Sequence, residues 1–298
     1  MKTKLIFRGT GTALVTPFDA KGKIDERAIR RLVDFQIRGG VEALLPTGTT
    51  GESVTLTELE QANVVEIVAD QTNGRVPVIA GAGSNATSKA ITLSKMMISA
   101  GADGILSVGP YYNKPTQEGY FRHFAAIASA IGTPIIVYNV PGRTASNIDV
   151  ETTLRMAEEI PHVVGIKEAS ANFTQIMEIL RHRPKSFGVW SGDDAITLPL
   201  MALGADGVVS VVSNEVPKMF STMVRLCLKG SFAAATLLHN KMLELMNFNF
   251  VESNPIPVKS ALAMMGLIKE NFRLPMVPLS DKHRPKLKKI LSEMKLLP

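Results

Sequence analysis

Short apolar runs alternate with longer amphipathic segments along most of the chain. The runs are GTALVTPF (11–18), EALLPTG (42–48), VPVIAGAG (76–83), GILSVGP (104–110), PIIVYNVP (134–141), VVGIKEAS (163–170), FGVWSGDD (187–194) and GVVSVVSN (207–214). Each has the length and β-branched content of a strand buried on both faces. Between them lie segments such as DERAIRRLVDFQIRGG (25–40) and LTELEQANVVEIVADQTNG (56–74), whose apolar residues recur at helical spacing. Many of these segments stop at glycine just before the next run, and GADG occurs twice at such a junction, at 101–104 and 204–207.

Eight strand-helix units of roughly 20–35 residues each predict a (β/α)8 barrel. A doubly wound sheet also alternates strands and helices, but it gathers its ligand site at one switch point. Here polar signatures follow nearly every strand, which favours the barrel. Beyond about Gly230 the strand signals stop. The pattern therefore predicts a catalytic barrel over 1–230 and a small helical domain over 231–298, with methionines as core filler.

The chain has 298 residues, with 45% hydrophobic and 20% charged residues, as in a soluble globular enzyme. Arg8 and Gly9 interrupt the short N-terminal apolar stretch, so neither a signal peptide nor a membrane span is expected there. One cysteine, Cys227, leaves no internal disulfide framework and fits a reducing, cytoplasmic setting. The formal charge is +6, and Lys282, Arg284, Lys286, Lys288, Lys289 and Lys295 crowd the C-terminal end. Leu287, Ile290, Leu291 and Met294 recur among them at helical spacing. The cluster therefore reads as the solvated face of a terminal helix, not a nucleic-acid site, and no aromatic residue interleaves it.

The chemistry gathers at the strand ends. Lys167 ends the sixth run and Tyr138 the fifth. An ammonium seldom ends a buried strand, because desolvating it is costly. A lysine held there sheds its proton more easily and becomes a nucleophile. The alternative is a strand-end lysine paired with Glu168 and wetted by a loop. Thr49 and Thr50 follow the second run, Tyr111 and Tyr112 the fourth, and Arg143 lies just beyond Tyr138. One lysine, several hydroxyls and one arginine suggest Schiff-base chemistry: an amine condenses with a ketone, hydroxyls relay protons and a guanidinium grips a carboxylate. GTTGES (48–53) has the small residues that let backbone amides approach an anion.

Other signals are set aside. GAGSNA (81–86) fits a dinucleotide pattern, but it follows the third strand rather than the first, and Asp103 fits better in a GADG turn. Asp193 and Asp194 lack further ligands for a metal and are candidate caps for the helix that follows. The histidines show no paired ligand spacing.

TGTTGES, GPYYNKPTQEG, YNVPGRT and GIKEAS, in this order and spacing, resemble the dihydrodipicolinate synthase family of pyruvate-dependent class I aldolases, over a stretch from about Gly9 to the C-terminal helices. The resemblance implies a cofactor-free lyase that joins pyruvate to L-aspartate 4-semialdehyde, without metal. It implies that Lys167 forms the imine, that Thr49 and Thr50 hold the pyruvate carboxylate, and that Tyr138 is the central acid/base. It places Thr50 and Tyr112 in the proton relay, with Tyr112 reaching across from a neighbouring subunit. It gives Arg143 the carboxylate of the second substrate and adds Val209 to the substrate-binding set. It further implies a homo-oligomer, a tetramer built from dimers. A sister lyase acting on a sugar acid is the nearest rival; Arg143 and GTTGE, where sialic-acid lyases carry GSTGE, oppose it. A catalytically inert barrel used for binding is the second rival, and the joint presence of the lysine, tyrosines, threonine and arginine opposes that. Family members inhibited by lysine carry a glutamate four residues after the asparagine of an N-A-T turn. Lys89 stands there in this chain, with Glu58 and Gln61 at two positions that are often histidine, so weak or absent inhibition by lysine is expected.

Overall fold

The computed structural model describes residues 5–297. All eight apolar runs form parallel strands: β1 (Gly9–Ala13), β2 (Ala43–Leu45), β3 (Ile79–Gly81), β4 (Gly104–Val108), β5 (Ile135–Asn139), β6 (Val163–Glu168), β7 (Gly188–Ser191) and β8 (Gly207–Ser210). They pair in the order β2-β1-β8-β7-β6-β5-β4-β3. A parallel bridge between Leu44 and Val78 joins β2 to β3 and closes the barrel. Closure removes sheet edges, so every strand is buried on both faces, and this is why the runs are continuously apolar rather than alternating.

The helices are α1 (Glu26–Arg38), α2 (Glu58–Thr72), α3 (Thr87–Ser99), α4 (Gln117–Ile131), α5 (Pro141–Thr144), α6 (Val150–Glu159), α7 (Phe173–His182), α8 (Thr197–Ala202), α9 (Pro217–Leu228), α10 (Phe232–Phe248), α11 (Ile256–Met264) and α12 (Arg284–Glu293). Local chemistry starts several of them. Thr57 and Glu60 form a reciprocal capping box at α2, and Asp149 accepts the Thr152 amide at α6. The two GADG turns share one device. Gly101 and Gly204 take φ +98° and +99°, and the aspartate that follows each accepts the amide of a neighbouring strand. Asp103 takes Val78 N–H at 2.8 Å and Asp206 takes Val189 N–H at 3.0 Å. Asp103 is thus a strand clamp, as its place in the turn suggests.

Inside the barrel, Leu45, Ile79, Leu106, Ile136, Trp190 and Val209 pack together. Phe7 stacks on Trp190 with centroids 5.0 Å apart. Outside it, α7 to α9 share one apolar core with α10, α11 and α12, so the chain beyond Gly230 packs directly on the barrel helices. Leu287, Ile290 and Leu291 face that core from α12, which leaves its lysines on the outer face. Cys227 is buried in the same core, and burial lifts its thiol to about 11.

Two elements differ from the expected ones. β1 begins at Gly9 and leaves the ladder after Ala13, since the Val15 amide bonds the Asn214 side chain. Asp193 and Asp194 do not cap α8, whose N-cap is Ile196 without a side-chain bond. Asp193 instead turns its own loop by accepting the Ala195 amide.

Glycine at 165 makes room for Trp190: a Cβ there would lie inside van der Waals contact of the Gly188 carbonyl and the indole ring. Gly165→Ala is expected to destabilise the fold by about 1–3 kcal/mol through overpacking, read as a lower denaturant midpoint. An unchanged midpoint would show that the ring can move aside.

Candidate active site

The register of β5 and β6 creates the site. Tyr138 pairs with Lys167 across the ladder, and Lys167 with Trp190 of β7. Alternation along β6 then turns Lys167 and Glu168 to opposite faces. Glu168 is fully buried outside the barrel, accepting bonds from the Asn139 and Gln175 side chains and the Ser170 amide. The reading of Lys167 as a partner of Glu168 therefore fails on geometry. Lys167 points into the mouth instead, with Nζ 4.1 Å from the centre of the Tyr138 ring.

Both side chains are buried, at 7% and 8% exposure. Burial pushes the Lys167 amine down to about 8; the Asp194 carboxylate opposes this and the Arg143 guanidinium adds to it. Burial lifts the Tyr138 phenol to about 12, against a smaller opposite pull from Arg143. Near neutral pH the site thus holds an amine that readily loses its proton beside a phenol that keeps its own. Asp194 is a member that sequence reasoning missed. Its carboxylate accepts the Val211 and Val212 amides at 3.0 and 2.7 Å, tying the end of β7 to the end of β8. Burial raises it to about 6.

Lys167 and Tyr138 line one cavity of about 520 Å³ at the C-terminal ends of the strands, where barrel enzymes place their chemistry. Thr49, Thr50, Tyr138, Arg143 and Lys167 all face it. Val209 does not: it is packed among the interior side chains, and Val211 lines the wall instead. Tyr112 also lies apart from its own chain's cavity. It is 91% exposed, at φ +73°, whereas Tyr111 lines the wall. Lys89 and Gln61 line the outer part of the same cavity, and Gln61 donates to the Ser53 and Leu56 carbonyls.

The loop carrying the threonines is bounded by two strained residues. Thr47 at φ +55° and Glu52 at φ +53° are both left-handed, costly for a β-branched threonine above all. Local bonds hold them there. Thr47 Oγ1 donates toward the Pro46 and Gly81 carbonyls, and Glu52 is ion-paired with Lys259 of α11, both side chains fully buried. Asn254 Nδ2 donates to Thr50 Oγ1 at 3.0 Å. Asn254 and Lys259 carried no motif signal, and Glu52 lies in the GTTGES motif without a role read for it. A lysine inside the apolar segment PIPVKSALA was the one clue available.

A buried lysine beside a tyrosine at the mouth of a closed eight-stranded parallel barrel fits a lyase of the Schiff-base, class I aldolase type. Residues 6–294 match the family model described as the dihydrodipicolinate synthetase family. The chain is 51% identical over 289 residues to the 4-hydroxy-tetrahydrodipicolinate synthase of Chloroherpeton thalassium, covering 97% of this chain and 96% of that one. It is 52% identical over 291 residues to that of Koribacter versatilis, covering 97% of each. The crystal structure of dihydrodipicolinate synthase from Aquifex aeolicus superposes with TM-score 0.95 at 43% identity, over 98% of this chain and 99% of that one. This chain belongs to the dihydrodipicolinate synthetase family.

If Lys167 is the nucleophile, imine formation follows its neutral fraction. The amount of adduct formed in a short pyruvate pulse, trapped with borohydride, should rise with pH and reach half its maximum near pH 8. Arg143→Ala removes a like charge and should move that midpoint upward. A midpoint near the ordinary lysine value of 10.5 would show that the amine is not desolvated as the geometry requires.

Proposed function

We propose that this protein condenses pyruvate with L-aspartate 4-semialdehyde to form 4-hydroxy-tetrahydrodipicolinate, in the diaminopimelate route to lysine. The observation that carries this is the buried Lys167 amine set against the Tyr138 ring at the barrel mouth. The neutral amine attacks C2 of pyruvate and forms a C–N bond. Tyr138, a phenol at this pH, supplies a proton as the carbonyl oxygen leaves as water. The imine then loses a C3 proton to give an enamine. Its C3 attacks the aldehyde carbon, and the aldehyde oxygen takes up a proton. The substrate's own amino group displaces Lys167 from C2, closing the ring and restoring the free amine.

Thr49 and Thr50 offer amides and hydroxyls to the pyruvate carboxylate, and the Thr50 hydroxyl passes protons between Tyr138 and the reacting atoms. Arg143 takes the carboxylate of the semialdehyde. No step uses a metal or cofactor. Val209 acts through its backbone, since its side chain is packed in the barrel interior. The exposed, left-handed Tyr112 supports a role outside its own cavity, completing the relay of a second copy in a homo-oligomer, a tetramer of dimers. The described residues up to 230 make the catalytic barrel and those from 231 onward a helical domain that braces it. Among the described residues no helix is long and apolar enough to cross a membrane, and we place the enzyme in the cytoplasm, acting on small metabolites rather than nucleic acid.

The test is a coupled assay with both substrates. Tyr138→Phe should lower turnover by about 10²–10⁴-fold with the fold intact. Activity within a few-fold of the parent would remove Tyr138 from the centre of the relay. Cleavage of a sugar acid without condensation of the semialdehyde would favour the sister lyase. Lysine should inhibit weakly or not at all, because Lys89 puts a cation in the cavity where an effector ammonium needs an anion; Glu58 lines the same cavity and offsets part of that charge. Strong inhibition at low lysine concentration would contradict this.

A further inference from the structure

We infer that Asn254, on the segment entering α11, is a positioning residue that fixes the direction in which the Thr50 hydroxyl donates its proton. This rests on the lyase reading above and assigns one of its steps to a second part of the chain. A threonine hydroxyl has one proton and two acceptor lone pairs, and its proton rotates to suit its partners. Asn254 Nδ2 donates to Thr50 Oγ1 at 3.0 Å, so one lone pair is taken. The Thr50 proton is then directed away from Asn254, toward the cavity that holds Lys167 and Tyr138. A relay needs this polarity, because a hydroxyl that donated to a wall residue would have no proton to pass inward.

The donor is held firmly. Asn254 is 6% exposed and itself faces the cavity. Five residues on, Lys259 makes a buried ion pair with Glu52, two residues past Thr50. Its ammonium also lies 4.4 and 4.7 Å from the ring centres of Phe18 and Phe272. Farther along, Arg273 donates to the Thr55 carbonyl at 3.0 Å. The chain beyond the barrel therefore grips the 50–55 loop at three points, and the first sets a hydroxyl rather than only the backbone. The Asn254 Oδ1 atom is buried with no hydrogen-bond partner among the described residues, so the bond that Nδ2 gives Thr50 is the side-chain amide's one hydrogen bond among them.

Asn254→Asp tests the polarity with almost no change of shape. A carboxylate only accepts, so Thr50 must turn and donate to it, leaving the relay. The readout is exchange of the pyruvate methyl protons with deuterated solvent, followed by proton resonance with pyruvate alone. This exchange needs the imine and enamine but no second substrate. Exchange should fall about 10²-fold, the lower range for losing a proton-transfer group. The deficit relative to the parent should shrink as pH falls, because a protonated carboxyl can again donate to Thr50. In a Thr50→Val background the Asp substitution should add little, since its target is gone. If the Asp variant does not fold, Asn254→Ala carries the same comparison: slower exchange beside Thr50, no further loss beside Val. Normal exchange with only a raised KM for the semialdehyde would overturn the inference and make Asn254 a direct substrate contact. So would full, additive loss in the Thr50→Val background. A parent that exchanges no protons would overturn the lyase reading itself, and this inference with it.

Discussion

Desolvation of one ammonium group governs this structure. Holding Lys167 inside the barrel mouth lowers its affinity for a proton from the ordinary 10.5 to about 8. That difference corresponds to about 3 kcal/mol disfavouring the charged form. A lysine in water near pH 7 is a poor nucleophile because almost none of it is neutral; here a usable fraction is. The neighbours decide how far the shift goes. Asp194 restrains it and Arg143 extends it, so the amine remains protonatable. Tyr138 feels the same burial with the opposite result, because its neutral form is the protonated one. One low-polarity wall thus prepares a base and an acid side by side.

Keeping these groups in place requires rigidity from two directions. The barrel supplies it along the strands: the pairing of Tyr138 with Lys167 is a ladder register, and a slip of one residue would turn both side chains out of the mouth. The loops need other supports. The threonine loop bends through left-handed residues at Thr47 and Glu52, and the buried Lys259–Glu52 pair holds its far end. Replacing only one partner would leave an uncompensated charge in the core, so the two must be kept or lost together. The helices after the barrel are therefore part of the site's support, with α11 reaching the loop that faces Lys167.

The barrel was legible because a closed parallel sheet writes itself as buried apolar runs, and all eight were readable, with β1 displaced by two residues. Its displacement has a physical cause: Leu14, Val15 and Phe18 stay in the apolar core after the chain leaves the ladder, so composition does not mark the end of the strand. Lys167, Tyr138, Thr49, Thr50 and Arg143 were visible as polar residues at strand ends, where topology brings them together. Asp194, Asn254 and Lys259 were not, because each acts through a partner far away in sequence. Asn254 and Thr50 are 204 positions apart, and no local pattern records such a contact. Tyr112 and Val209 came from family likeness rather than from pattern. In the single chain one points into solvent and the other lies packed behind the cavity wall.

Among the described residues two lysines, Lys167 and Lys259, are almost completely buried, and they separate the account from its alternatives. Lys259 is committed to Glu52 between two aromatic faces, whereas Lys167 faces the cavity with its amine free to react. The direct measurement is peptide mass mapping after saturating pyruvate and borohydride. The account predicts one reduced pyruvyl group per chain, carried on the peptide holding Lys167 and absent from a folded Lys167→Ala variant. A label on Lys259 or on a surface lysine, or no label at all, would contradict it.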